Sequence, residues 1–176
     1  MATQPVLHER EMEPQPLASP GTGSAEPNDG RAAAFTDSQR ALLETFLGES
    51  SRVSQALAAD NPEDFGAHFL KLSELAQPLR DAFPATSPLS PTLQRLAAFR
   101  WRAAKDLADA RKQFLPFSTT VVDLARALKG QDKGFIGIKI YHCPMAPEPG
   151  LWMQAEGPLR NPFFGTRMLA CGEIVQ

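Results

Sequence analysis

Apolar residues recur at steps of seven and four through Phe35, Leu42, Phe46, Val53 and Leu57, a spacing that lines one face of an α-helix. Thr36 and Gln39 stand three apart at the start of that stripe, the capping-box arrangement in which each side chain satisfies the other's orphan amide. Asn61-Pro62-Glu63-Asp64 predicts a second helix start, with Asn61 as N-cap, Pro62 in the first position and two acids facing the positive end of the dipole. Phe65, Phe69, Leu72, Ala76, Leu79 and Phe83 then follow on one face. Pro78 is expected to kink this helix, because it removes a backbone donor.

Residues 84–91 hold three prolines and three Ser/Thr residues and read as a loop. A third helix is expected from about Thr92 to Phe114, with Leu96, Phe99, Ala103, Leu107, Ala110 and Phe114 on its stripe. Arg100, Arg102, Lys105 and Asp106 fall outside that stripe. A fourth, shorter helix is expected from about Ser118 to Leu128, stopping at Gly130. Amphipathic stripes joined by modest loops predict a mainly α fold, an antiparallel bundle of three or four helices over residues 35–130.

Past Gly130 the period changes. Phe135-Ile136-Gly137-Ile138-Lys139-Ile140-Tyr141 is β-branched at alternate positions, so a strand is expected with Ile136, Ile138 and Ile140 on one face. The 35 residues after Tyr141 hold five of the 16 prolines and show no helical period. Residues 131–176 are therefore expected to be a strand followed by an irregular loop packed on the bundle, tied down by something other than backbone ladders.

Composition narrows the function. With 18 Lys+Arg against 20 Asp+Glu the net charge is −2, and no long basic block is present, which excludes the electrostatic footprint of a nucleic-acid binder. No stretch approaches the roughly 20 apolar residues of a membrane-spanning helix, and Met1 is not followed by a segment of signal-peptide type. Residues 1–30 carry no aromatic side chain and five prolines. Residues 1–34 thus read as a disordered tail or linker of the kind that joins a module to a larger protein.

Both cysteines and three of the five methionines lie between His142 and Cys171. Thiolates and thioethers are soft donors that suit Cu(I) and Ag(I), imidazole can complete such a site, and the set is poorly matched to calcium or magnesium. Spacing places Cys143 and Met145 on one side of an extended segment, and Met168 and Cys171 on one face of a helical turn. Two arms carrying four sulfurs would then converge on one ion, with His142 alongside. Zinc fits less well, because His142 and the two cysteines give only three conventional donors. The residues leave three alternatives open: a metal site, a disulfide closing the intervening loop, or two unrelated thiols. Met145, Met153 and Met168 taken singly also suit core filling, and Trp152 suits burial.

The run Tyr141-His142-Cys143-Pro144-Met145, then Trp152, then Asn161-Pro162-Phe163-Phe164-Gly165-Thr166-Arg167-Met168-Leu169-Ala170-Cys171-Gly172, resembles an uncharacterised bacterial envelope domain family. That family is a helical module ending in a Cys-Pro-Met and Asn-Pro-(Tyr/Phe)-Phe-Gly-x-x-Met-x-x-Cys-Gly signature. It is often appended to the periplasmic adaptor (membrane fusion) subunits of copper/silver and other heavy-metal efflux pumps, and also occurs as a separate exported protein. The resemblance covers Tyr141 to Gly172 closely and the helices only as a pattern. It implies metal handling in efflux or resistance, a periplasmic or envelope location, and Cys143, Met145, Met168 and Cys171 at the motif positions. This chain departs from an adaptor in lacking the coiled-coil hairpin, lipoyl-like and barrel segments such a subunit needs, so it would not by itself bridge an inner-membrane pump to an outer-membrane channel.

Asn161-Pro162 reads as a turn initiator, Gly165 and Gly172 as positions of positive φ, and Phe163 and Phe164 as anchors of the loop. His68 reads as a packed or surface residue. An enzyme is not expected: the chain has no Gly-rich phosphate loop, no nucleophile elbow and no Cys-x-x-Cys. His142 is badly placed to deprotonate its neighbour Cys143, since adjacent strand residues point to opposite faces.

Overall fold

A computed structural model describes residues 34–175. The expected tail over 1–34 lies, apart from Ala34, outside the described residues. The fold is mainly helical, with four α-helices followed by a small sheet: α1 (Asp37–Ala58), α2 (Pro62–Asp81), α3 (Ser90–Ala97), α4 (Leu107–Gln131), β1 (Lys139–His142), β2 (Leu151–Gln154) and β3 (Glu173–Val175). Single 3-10 turns occur at Lys133–Phe135 and Gly165–Arg167.

Local chemistry sets the first two helices. Thr36 and Gln39 form the expected capping box, and the Asn61 side chain accepts from the Asp64 amide in front of Pro62. Three residues separate α1 from α2, so the two helices fold back on each other as a hairpin. Phe46, Val53 and Leu57 of α1 and Phe65, Phe69, Leu72, Ala76 and Leu79 of α2 are buried between them. On α1 it is Leu43 that is fully buried, whereas Leu42 is only half-buried. Pro78 lies inside α2, which continues past it to Asp81.

The single helix expected from Thr92 to Phe114 is two. Helix α3 starts at Ser90, inside the expected loop, and stops at Ala97, and Ala103 is exposed rather than buried. Phe99 and Trp101 turn inward between the helices, where their rings and those of Phe69 and Phe117 lie 4.9–6.0 Å apart. Both side chains stay half-buried, and the ring contacts of this cluster are the tertiary packing that overrides helix propensity here. Helix α4 restarts at Asp106, whose side chain accepts from the Asp109 amide, and runs through Pro116 to Gln131. It therefore joins the end of the expected third helix to the expected fourth.

The sheet is antiparallel with order β2-β1-β3, and pairs Tyr141 with Trp152 and His142 with Glu173. The expected strand over 135–141 is shorter and displaced: Phe135 ends a 3-10 turn, and Ile136 is 57% exposed while Ile138 and Ile140 are buried. Both faces of the β1–β2 pair are covered, with Ile140 and Met153 buried on one and Tyr141 stacked on Trp152 at 5.3 Å on the other. Two side chains of α4 fasten the sheet, since Ser118 Oγ donates to the Leu151 carbonyl at 2.8 Å and Lys129 Nζ to the Ile138 carbonyl at 3.1 Å. No helix among the described residues is long and apolar enough to cross a membrane.

Candidate metal centre

The end of β1 delivers Cys143. Its amide donates to the Gly150 carbonyl at 2.9 Å and its carbonyl accepts from Ala146 at 3.1 Å, so the chain turns immediately after the strand. Gly150 sits at φ +56°, and a Cβ there would lie 2.7 Å from the Cys143 carbonyl oxygen. A glycine is required for this approach.

The second arm is built on Asn161, which is completely buried. Its side-chain oxygen accepts from the amides of Phe163 and Phe164, its side-chain nitrogen donates to the Cys171 carbonyl, and its own amide donates to the Leu169 carbonyl. One residue therefore closes the loop across Met168 and fixes the backbone of Cys171. Phe163 anchors the arm against Phe114 of α4 at 5.6 Å and against Trp152 at 5.9 Å. Gly165 and Gly172 have φ of +58° and +148°, matching the positive values expected from the sequence.

A second clamp holds the start of the 3-10 turn. Asp60, at φ +56° between α1 and α2, accepts from the Thr166 hydroxyl, from the Thr166 amide at 3.0 Å and from Arg111 of α4. These hydrogen bonds, that of the Thr166 hydroxyl first, outweigh the cost of burial and hold the Asp60 carboxyl down at about 2. Arg111 also donates to the carbonyls of Leu57 and Pro162. Thus α1, α4 and the C-terminal arm are joined at one ion pair. In the sequence Asn161 reads only as a turn initiator with Pro162, and the available signal for Asp60 was an acid directly before an Asn-Pro helix start.

These two arms bring Cys143 and Cys171 together, with their sulfurs 3.9 Å apart as free thiols. Cys143 is fully buried and Cys171 half-buried. Partial burial, and then the adjacent Cys143 sulfur, push the Cys171 thiol above its ordinary range. The methionines are arranged differently from the spacing expectation. Because the chain turns after Cys143, Met145 does not share its side and is 63% exposed, at the outer edge of that turn. Met168 is 37% exposed and lies on the same turn as Cys171, whose amide donates to the Met168 carbonyl at 3.0 Å. His142 is half-buried, with Nδ1 3.4 Å from a carboxylate oxygen of Glu173 across the β1–β3 pair. No group of three or more His, Cys, Asp or Glu residues is gathered as a ligand set among the described residues.

His68, read from sequence as packed or surface, has a charged partner. Its Nδ1 lies 2.7 Å from buried Glu49, which also meets Arg52. This pair is remote from the thiols in sequence and uses neither of them.

No protein-family model, no curated protein and no solved structure matches this chain.

Proposed function

We propose that this chain is a soft-metal-binding accessory module of a bacterial heavy-metal efflux or resistance system, working in the periplasm or cell envelope, with Cu(I) or a similar ion as cargo. In this reading the helices serve as a bundle that supports the site. The observation that carries it is the 3.9 Å separation of the Cys143 and Cys171 sulfurs on two independently braced arms. With metal–thiolate bonds of about 2.3 Å, that separation corresponds to a sulfur–metal–sulfur angle of roughly 115°, which leaves a third position open. A digonal site would want the sulfurs farther apart. Met168, on the turn of Cys171, would supply a neutral thioether at the solvent side of the pair, and Met145, exposed at the outer edge of the Cys143 turn, would have to swing toward it to supply another. His142 is held toward Glu173 and stands as a neighbour of the site.

Thiolate anchors with thioether outer ligands suit transfer to a partner by ligand exchange, since the exposed neutral donors detach while the buried thiolates still hold the ion. The test is an anaerobic Cu(I) titration of reduced protein against a chromophoric chelator, repeated on Cys143→Ser and Cys171→Ser. One ion bound per chain in the wild type and none above background in either variant is the expected result. A chain with two free thiols that never competes with the chelator overturns it.

The same separation supports a second reading, an interaction module stapled by a Cys143–Cys171 disulfide. A thiol count without reductant separates the two, because the stapled module has no free thiol and the metal module has two.

A further inference from the structure

Between the start of α4 and the two arms of the loop lies a cavity of about 490 Å³, lined by Leu107, Ala108, Leu115, Pro147, Phe163 and Phe164 and edged by three cations. The cations differ in what they already hold. Arg111 is committed to Asp60 and to two carbonyls. Lys112 and Arg167 form no ion pair with any described residue, and Arg167 only lies over the Phe164 ring at 5.9 Å. No Asp or Glu lines the cavity. The walls are thus apolar, the uncommitted charge is positive, and the volume falls within the range of small-molecule sites rather than of extended peptide grooves.

We propose that this cavity binds a soluble monocarboxylate with an apolar body, of medium-chain fatty-acid type. The hydrocarbon fills the space between Leu107, Leu115, Phe163 and Phe164, and the carboxylate takes charge-assisted hydrogen bonds from Lys112 and Arg167 at the rim. A multiply charged inorganic anion suits the site badly, because the apolar walls would strip its water without replacing it. Pro147 belongs to the Cys143 turn and Arg167 directly precedes Met168, so the ligand would bridge both arms. The proposal does not depend on metal binding.

The probe is decanoate, titrated calorimetrically into the full chain below its micellar range, with butyrate, 1-decanol and inorganic phosphate as controls. Decanoate is expected to bind one to one, to raise the melting temperature, and to outbind butyrate and decanol each by about tenfold or more. Phosphate is expected to give no heat. Lys112→Gln/Arg167→Gln, changed at exposed positions without ion pairs, should weaken decanoate by about tenfold and abolish its preference over decanol. Ala108→Trp, which fills the cavity from an exposed position of α4, should remove decanoate binding with both cations intact. Equal affinity for decanoate and decanol overturns the proposal, as does unchanged affinity in the double variant or in Ala108→Trp. Decanoate that only lowers the melting temperature, or capture by phosphatidylglycerol vesicles without binding of the free acid, overturns it equally.

Discussion

The side-chain amide of Asn161 donates to the carbonyl oxygen of Cys171 at 2.7 Å. A buried polar side chain ten residues away in sequence thereby sets the backbone that carries a candidate ligand, and its oxygen satisfies two further amides. Asn161→Ala would strand these partners in a buried loop. Each unsatisfied group costs about 1–3 kcal/mol, so a loss of roughly 3 kcal/mol is expected in urea unfolding. Cys171 should also react faster with thiol reagents in native buffer. Unchanged Cys171 reactivity in a folded Asn161→Ala protein would show that the arm is positioned by Phe163 instead.

Acid should weaken the fold through Asp60. Its carboxyl is held at about 2 against an ordinary 3.8, so the charged form stabilises the folded chain above about pH 4, and that contribution is lost as pH falls from about 4 through about 2. Asp60 remains partly exposed, and after solvent screening the contribution is about 1 kcal/mol. Asp60→Asn keeps a residue tolerant of positive φ but removes one acceptor with the charge, because both carboxylate oxygens accept, one from Arg111 and the other from Thr166. Its stability should lie below wild type at pH 7, and the gap should narrow as pH falls from about 4 toward 2. Parallel unfolding curves across that range would assign the acid sensitivity elsewhere.

Gly150→Ala tests the Cys143 turn. Positive φ costs a non-glycine residue about 1 kcal/mol, and the added methyl would meet the Cys143 carbonyl oxygen, which is backbone and cannot rotate away. A loss of about 2–3 kcal/mol is expected. Cu(I) affinity should fall together with stability, because the turn and the thiol move as one. Gly137→Ala, where a Cβ meets nothing within 4 Å, is the matched control and should leave both unchanged.

How far the sequence could be read follows from the range of the interactions involved. The caps at Thr36 and Asn61 are local, and both stand where the spacing places them. The break between Ala97 and Leu107 is not local. Phe99 keeps an apolar spacing with Leu96, Ala103 and Leu107 that looks helical, and only Phe69 and Phe117, distant in sequence, draw it and Trp101 into a cluster. The capping position Asp106, with Asp109 three residues on, was the available sign of a restart. Strands β2 and β3, of four and three residues, are too short to show a period of two. At the site, composition singled out the two cysteines that meet. It missed the turn after Cys143, because period-two reasoning holds only while a strand continues, and the hydrogen bond from Ala146 ends it.

The two thiols should be chemically unequal. Cys143 is fully buried and Cys171 half-buried, so native reduced protein should give one thiol to an alkylating reagent quickly and the second only on unfolding. Burial and the neighbouring sulfur raise the Cys171 thiol, so its alkylation should accelerate at higher pH than that of a free cysteine. Cys143→Ala removes the second of these causes, and Cys171 should then alkylate several-fold faster at pH 8. Saturating Cu(I) should protect both thiols, while mild oxidation should remove both together through an intramolecular disulfide. Mass spectrometry of single-turnover iodoacetamide labelling distinguishes these outcomes. Two thiols labelled at equal rates in the native chain would mean that the arms open freely, and the braced dithiol would then no longer support a preorganised metal site.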